Sequence, residues 1–255
     1  MTKRIISLII AGMITVTAVA CTSLMVGKKA SADGSVMCTY NADSFGTFRN
    51  LIDYGSLMDL ALQRAKTARE AIEVMTTLAE KYGYCSTGEL FSICDPDEAW
   101  IMEMVGCGAG SKAVAWVALR VPDDAICAHA NQSRIRTFDQ KDKKNVIYSS
   151  DVISFARRQG YFSGKDADFS FSDAYSPTNF HMQRACEARV WSFFNMHVDG
   201  MERYLDWADG RHVGTAEVMP LYFRPKHKVS LRMAMDGMRD HYEGTPMAID
   251  STDIG

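Results

Sequence analysis

Cys21 is the residue of this 255-residue chain whose position offers the most definite chemistry. It directly follows Ala18-Val19-Ala20, a small-residue segment of the kind that signal peptidases cut. Cleavage after Ala20 would make Cys21 the N-terminal residue, with its thiol beside its own free α-amine. A thiol with an ordinary pKa of about 8.5 and an amine with a pKa of about 7.7 to 8.0 then form an adjacent nucleophile and base. The same small residues also suit lipid attachment to the thiol, so this junction predicts two incompatible uses of Cys21.

Residues 1–20 are predicted to be a secretory signal peptide, which leaves residues 21–255 as the folded domain. Lys3 and Arg4 precede an uncharged apolar stretch from Ile5 to Ala20. These sixteen residues are fewer than the roughly twenty that a membrane-spanning helix needs, and no other apolar run approaches that length. We therefore expect an exported protein, periplasmic or extracellular, without a membrane span. It would be anchored to a membrane only if the N-terminal thiol carried lipid.

A short hairpin is predicted to position Cys21. Leu24–Val26 and Val36–Tyr40 have the composition of strands, and Ser31–Gly34 between them consists of turn residues. If those four residues form the loop, strand partners are residues whose numbers sum to 65. Cys21 then lies opposite Ser44.

Asp43 is the carboxylate that this hairpin would bring close to the N-terminus. It adjoins the predicted partner of Cys21, and a tighter Asp33-Gly34 turn would move that partner to Gly46. In either register the Asp43 carboxylate could hold the α-ammonium or orient the thiol. The alternative is an ordinary exposed turn residue.

The middle of the chain predicts the helices and strands of an α+β fold. An apolar stripe from Tyr54 to Gly83 indicates a helical layer, and a capping box formed by Thr67 and Glu70 divides it in two. Gly83 suits a helix C-cap. Four short, mostly apolar strands are predicted next: Leu90–Cys94, Ala99–Val105, Ala113–Val121 and Ala125–Ala130. Strands with few polar interruptions between helices predict a sheet covered on both faces.

Two later segments have simple structural interpretations. The run from Arg134 to Lys144 contains five basic and two acidic residues, which predicts a solvated loop. Glu187 to Phe194 predicts a helix whose buried face carries Cys186, Val190 and Phe194.

Ordered motifs along most of the chain resemble a known family. They are Cys21–Ser35, Asp53–Leu57, Leu62–Ala71, His129–Gln132, Gly160–Asp166 and Glu187–Phe194. Together these segments resemble the dipeptidase A family of bacterial cysteine dipeptidases, which are N-terminal-nucleophile hydrolases related to penicillin V acylase and bile salt hydrolase. The resemblance implies a four-layer α-β-β-α sandwich and hydrolysis of dipeptides by the Cys21 thiol, with no metal or organic cofactor.

Asn131 is the third candidate catalytic residue, because the resemblance places an active-site Asn at this position. Its amide could polarise the scissile carbonyl or bind the substrate, and the alternative is that Asn131 merely begins a turn. The neighbouring His129 is interpreted as structural, because an N-terminal amine removes the need for an imidazole base.

The chain departs from the family pattern between Asp43 and Asp53. Relatives carry a considerable stretch there, with strands of the sheet and an Asn expected to help hold the oxyanion; the bridge Phe45–Arg49 contains no Asn. Losing one oxyanion donor costs on the order of 3 kcal/mol, which predicts an impaired but not silent site. Tyr40 also stands where many relatives have Arg, and the chain stops at Gly255, before the usual end of the family. The resemblance therefore implies an incomplete sandwich, prone to aggregate unless another chain, such as a second copy in a homo-oligomer, fills the gap.

Composition and the remaining motifs argue against other classes of function. With 31 acidic and 28 basic residues the net charge is −3, which gives no electrostatic reason to expect nucleic acid as a partner. The sequence has no HExxH or CxxC motif, so a metal site is not expected, and Gly106–Gly110 lacks the Lys of a phosphate-binding loop. The six cysteines other than Cys21 are predicted to be reduced and buried, since several fall inside strands.

The sequence thus predicts an exported dipeptidase that uses Cys21, Asp43 and Asn131, with a dipeptide as its substrate. Two alternatives stay open at this point. The same machinery could cleave another acyl-amide, or Cys21 could carry lipid and anchor a binding protein that has no catalytic activity.

Overall fold

The computed structural model describes residues 22–40, 52–107, 112–177, 180–212 and 214–248. The predicted signal peptide and two of the three candidate catalytic residues, Cys21 and Asp43, lie outside this range.

Two four-stranded antiparallel sheets form the centre of the described chain. Sheet I has the strand order β2-β1-β6-β8, and sheet II has the order β3-β4-β5-β7. The strands are β1 (Ser23–Val26), β2 (Met37–Cys38), β3 (Gly88–Cys94), β4 (Ala99–Gly106), β5 (Val114–Val121), β6 (Ile126–His129), β7 (Val146–Tyr148) and β8 (Tyr222–Phe223). The helices are α1 (Tyr54–Arg64), α2 (Ala68–Tyr82), α3 (Val152–Arg158), α4 (Phe171–Tyr175), α5 (Phe180–His197), α6 (Leu205–Ala208) and α7 (Leu231–Gly237).

Alternating side chains divide the core into three apolar layers. In sheet I, Met25 faces sheet II and packs in the same cluster as Ile101, whereas its neighbour Leu24 packs with Trp191 of α5 on the opposite face. In sheet II, Trp100 packs in a third cluster with Leu57 of α1 and with apolar residues of α2. The layers therefore run helices, sheet, sheet, helices, and the predicted α+β fold class is confirmed.

Local capping explains why the helical layer is divided. The Asp53 side chain accepts a hydrogen bond from Ser56 N at 2.8 Å, and Thr67 accepts one from Glu70 N at 3.2 Å. Between them α1 ends at Arg64, as the predicted break requires. Gly83 ends α2 with a φ of +89°, a left-handed conformation that favours glycine.

The predicted register of the first hairpin was wrong. Met25 pairs with Cys38 and Val26 with Met37, so partner numbers sum to 63 and neither predicted register is present. The chain leaves β1 early because Gly27 O accepts hydrogen bonds from Ala30 N and Ser31 N at 2.9 and 3.1 Å. Residue 42, the partner of Cys21 by this count, adjoins Asp43 as Ser44 does, and Asp43 beside Cys21 stays a prediction because both residues lie outside the described ranges.

The cysteine prediction was correct in part. The six described cysteines are all free thiols, but only Cys127 and Cys186 are buried. Cys38 and Cys85 are exposed, and the other two are half-buried.

Candidate active site

The start of β1 and the end of β6 lie side by side at one end of sheet I. Ser23 pairs with His129 in antiparallel register, so Thr22, which precedes Ser23, and Asn131, two residues after His129, lie at the same end of the two strands. The residue that directly succeeds Cys21 and the candidate amide donor therefore share one neighbourhood.

Arg189 of α5 joins these two residues. Its Nη1 donates a hydrogen bond to Thr22 Oγ1 at 3.0 Å, and its Nη2 donates one to Asn131 Oδ1 at 2.8 Å. Its Nε also donates to Ala185 O at 2.8 Å, which fixes the guanidinium against its own helix. One half-buried cation thus connects α5, the end of β6 and the start of β1.

This contact determines how the Asn131 amide is oriented. A guanidinium group can only donate hydrogen bonds, so the group that faces Arg189 must be the Asn131 carbonyl oxygen. The amide nitrogen is then directed away from the guanidinium, and it is the donor that a substrate carbonyl would need.

Arg189 is a candidate site residue that the sequence pattern did not single out. The prediction for this helix considered its buried face, and Cys186, Val190 and Phe194 are indeed buried. The available signal was the long cationic side chain of Arg189 itself, three residues after Cys186. It lies in the segment from Glu187 to Phe194, whose other residues were explained by core packing. Burial raises the pKa of the neighbouring Cys186 thiol, which keeps it protonated and poorly nucleophilic.

His129 connects the two sheets behind this end of sheet I. Its Nε2 lies 2.7 Å from Ser92 Oγ of β3, and the ring is almost completely buried. Burial lowers the pKa of His129 to about 4, so the imidazole is neutral at neutral pH. This arrangement agrees with the structural interpretation of His129.

The prediction of a solvated loop from Arg134 was wrong at its first residue. The Arg134 side chain is only 3% exposed, and its Nε donates to Glu187 Oε1 at 2.9 Å. Its terminal nitrogens donate to backbone carbonyls, including Ala128 O at 3.1 Å and Pro220 O at 3.0 Å. A buried carboxylate partner and carbonyl acceptors satisfy the cation where solvent does not.

A second buried carboxylate holds the segment that follows Asn131. Glu103 of β4 accepts hydrogen bonds from the backbone nitrogens of Arg134 and Ile135 at 2.6 and 2.9 Å, and from the Ser133 hydroxyl. Burial raises the pKa of Glu103, although these hydrogen bonds favour its charged form. Hydrogen bonds to Glu103 of sheet II therefore hold the chain on the C-terminal side of Asn131 in place.

A groove of about 470 Å³ lies beside this site, between α1 and the edge strand β3. Tyr40 lines it together with Leu62 of α1 and Ser92, the hydrogen-bond partner of His129. The walls are mostly apolar, and the groove has room for a small organic molecule.

Within the described ranges, no three His, Cys, Asp or Glu side chains are grouped so that they could hold a metal ion. The helices of those ranges also include none that is long and apolar enough to cross a membrane.

Comparison with known proteins identifies the family. The family model "Peptidase family C69" matches residues 20–50 and 47–253 of the chain, so the two matches meet where the sequence predicts a missing stretch. Similar proteins include a probable dipeptidase of Salmonella dublin, 30% identical over 195 residues, and a dipeptidase of Bifidobacterium longum (strain NCC 2705), 29% identical over 207 residues. Each alignment covers 74% of this chain, but only 40% and 35% of those two proteins.

The family match includes the candidate residues Cys21, Asp43 and Asn131, and it also includes Arg189. The resemblance noted in the sequence is therefore confirmed, although the chain spans well under half the length of these relatives. The chain belongs to peptidase family C69.

Proposed function

We propose that this chain is an exported cysteine dipeptidase of the N-terminal-nucleophile type, in which Cys21 becomes the N-terminal residue after processing. The observation that carries the proposal is the contact of Arg189 with both Thr22 and Asn131, at 3.0 and 2.8 Å. It supports a site in which the residue next to the nucleophile and an amide donor are held by one cation. The names of these relatives, dipeptidase and probable dipeptidase, support the substrate class.

The proposed reaction uses the thiol and the amine of one residue. The Cys21 sulfur attacks the peptide carbonyl carbon while its own α-amine accepts the thiol proton. The amine then returns this proton to the leaving nitrogen, and a thioester acyl-enzyme forms. Water hydrolyses the thioester in a second step, with the amine again acting as the base. In this proposal Asp43 positions the α-ammonium.

Asn131 and Arg189 act on the developing negative charge. The Asn131 amide nitrogen donates a hydrogen bond to the carbonyl oxygen, which becomes an oxyanion in the tetrahedral intermediate. Arg189 is a positioning residue that fixes this amide, and its positive charge also favours an anion nearby.

The state of His129 supports the amine as the base. The imidazole is buried, has a pKa of about 4 and lies against Ser92 Oγ. A group with this pKa is a weak base at neutral pH, and its Nε2 already has a hydrogen-bond partner.

The order of layers supports an N-terminal-nucleophile hydrolase sandwich that is incomplete in this chain. Helices cover the outer faces of two antiparallel sheets, and β1, which follows Cys21, is an inner strand of sheet I. The bridge Phe45–Arg49 contains no Asn to match the one that the family resemblance implies there. One missing oxyanion donor corresponds to activity lower by roughly 100-fold than in a complete site.

The test is an assay of the processed chain on two panels of substrates, together with the mass of its N-terminus. We expect an unmodified Cys21 and slow hydrolysis of free dipeptides, with no cleavage of N-acylated amines such as penicillin V or bile salt conjugates. Cleavage of the acylated amines alone would assign the amidase alternative. A diacylglyceryl mass on Cys21 would overturn the proposal, because it would identify an anchored protein with a blocked thiol.

A further inference from the structure

Two cysteines outside the proposed catalytic machinery meet where the two sheets approach each other. Cys38 lies on β2 at one edge of sheet I, and Cys94 ends β3 at one edge of sheet II. The Cys38 Sγ lies 3.9 Å from Ser92 O, two residues before Cys94 on the same strand. Residues two apart on a strand point to the same face, so the Cys94 side chain lies on the Ser92 side of β3 that Cys38 approaches, and both cysteines line the groove between α1 and β3.

The two thiols are chemically unequal. The influence of Cys94 lowers the pKa of the Cys38 thiol, whereas the influence of Cys38 together with burial raises the pKa of the Cys94 thiol. Cys38 is exposed and Cys94 is half-buried. An exposed thiol with a lowered pKa beside a less exposed thiol with a raised pKa is the arrangement of an attacking and a resolving cysteine.

We propose that Cys38 and Cys94 form a redox-responsive dithiol that a low-molecular-weight disulfide converts into an intrachain disulfide. The Cys38 thiolate attacks one sulfur of the external disulfide and releases the first small thiol. Cys94 then loses its proton and attacks the Cys38 sulfur of the mixed disulfide, which expels the second small thiol. The pair loses two electrons and two protons, and one external disulfide becomes two thiols.

The disulfide would link sheet I to sheet II at the groove. Its two cysteines lie far apart in sequence, so the bond restricts the unfolded chain strongly. The disulfide would also involve β3, the strand that carries Ser92, and Ser92 contacts His129 of sheet I. We expect oxidation to raise the melting temperature on the order of 5 °C or more.

The test treats the full chain with oxidised glutathione, alkylates the remaining thiols and maps disulfides by mass spectrometry of the tryptic peptides. The expected result is a peptide pair joined through Cys38 and Cys94. A glutathione adduct that stays on Cys38, or a disulfide from either cysteine to another residue, would overturn the proposal.

Melting temperatures of oxidised and reduced samples give a second measurement. The matched control is Cys85→Ser, because Cys85 is also exposed and free but lies outside the pair. Oxidation should raise the melting temperature of the parent and of Cys85→Ser, and should leave those of Cys38→Ser and Cys94→Ser unchanged. An equal rise in all four proteins would contradict the proposal. The peptide map of the parent needs no substitution, so it decides the question even where a variant folds poorly.

Discussion

At the scale of the residue, Arg189 determines whether the candidate site has a fixed geometry. Replacing it by Gln removes the positive charge and the two guanidinium nitrogens that hold Thr22 and Asn131. A misplaced amide donor costs on the order of 100-fold in rate, so we expect kcat on a dipeptide to fall by about that factor. Steady-state kinetics measure this change.

Arg184→Gln is the matched control for Arg189→Gln, because Arg184 lies on the same helix and pairs instead with Asp209. It should keep kcat within a few fold of the parent. Arg189→Lys should recover part of the lost rate if the cation positions Asn131. Unchanged kcat in Arg189→Gln, at an unchanged melting temperature, would exclude this role.

Single residues also show what a sequence can and cannot predict about a site. Asn131 was placed from a motif that includes its neighbours, and it does lie beside the residue that follows Cys21. The burial of Arg134 was not predictable from its neighbours, since it begins a run of charges. Arg134 can be buried because it pairs with the Glu187 carboxylate on α5, which is 53 residues away in the sequence.

At the scale of the element, the Arg134–Glu187 pair ties α5 to the segment after β6. The two side chains are 3% and 1% exposed, and Glu187 Oε2 also accepts a hydrogen bond from Trp207 Nε1 at 2.9 Å. Glu187→Gln would remove the carboxylate that is paired with the buried Arg134 guanidinium, so we expect a loss of about 3–5 kcal/mol in unfolding free energy.

Chemical denaturation of Glu187→Gln and of Asp236→Asn separates a buried ion pair from an exposed one. Asp236 pairs with Arg232 on the surface of α7, and its loss should cost less than about 1 kcal/mol. Similar losses of unfolding free energy in the two variants would contradict the claim that burial makes the Arg134–Glu187 pair costly to break.

The N-cap of α2 provides a smaller and equally specific prediction. Thr67→Ala removes the hydroxyl that accepts from Glu70 N, which should cost about 1 kcal/mol of unfolding free energy. Thr77→Ala is the control, since Thr77 is an exposed residue inside the same helix and alanine favours helix. Thermal or urea unfolding should rank Thr67→Ala below the parent and Thr77→Ala at or above it; the reverse order would refute the capping assignment.

Elements were predictable where local pattern determines them. The limits of α1, α2 and the four central strands follow from caps and apolar runs, and they agree with prediction to within one or two residues. The predicted register of the first hairpin was wrong because its turn is held by hydrogen bonds to residues that are distant in sequence. Lys29 N bonds Asp123 O at 2.7 Å and Ala32 N bonds Val229 O at 2.9 Å, which a local turn rule does not include.

At the scale of the whole molecule, the groove beside β3 is an exposed apolar surface. The Leu62 side chain is 84% exposed and Tyr40 is 45% exposed, and β3 is an edge strand in sheet II. Unpaired strand edges and contiguous apolar surface promote self-association. We expect Leu62→Glu to lower the concentration-dependent light scattering of the protein.

Leu231→Glu is the control for the groove, because Leu231 is 59% exposed on α7 and does not line it. It should leave light scattering close to that of the parent. Equal reductions in the two variants would show that added charge, and not the groove, controls association.

The order of layers was partly predictable at this scale. Alternating elements indicated an α+β fold, while the four layers came from the resemblance alone. Which face of each strand meets which layer depends on pairing across the sheets, as in Met25 and Ile101, and the sequence pattern does not contain that information.

The central claim is that the thiol of Cys21 performs the chemistry, and the rate of dipeptide hydrolysis by a correctly processed Cys21→Ala protein tests it most directly. Cys85→Ala, which removes an exposed thiol elsewhere, serves as the control. The account predicts that Cys21→Ala loses all hydrolysis above background while Cys85→Ala matches the parent. Hydrolysis by Cys21→Ala at the parental rate would contradict it.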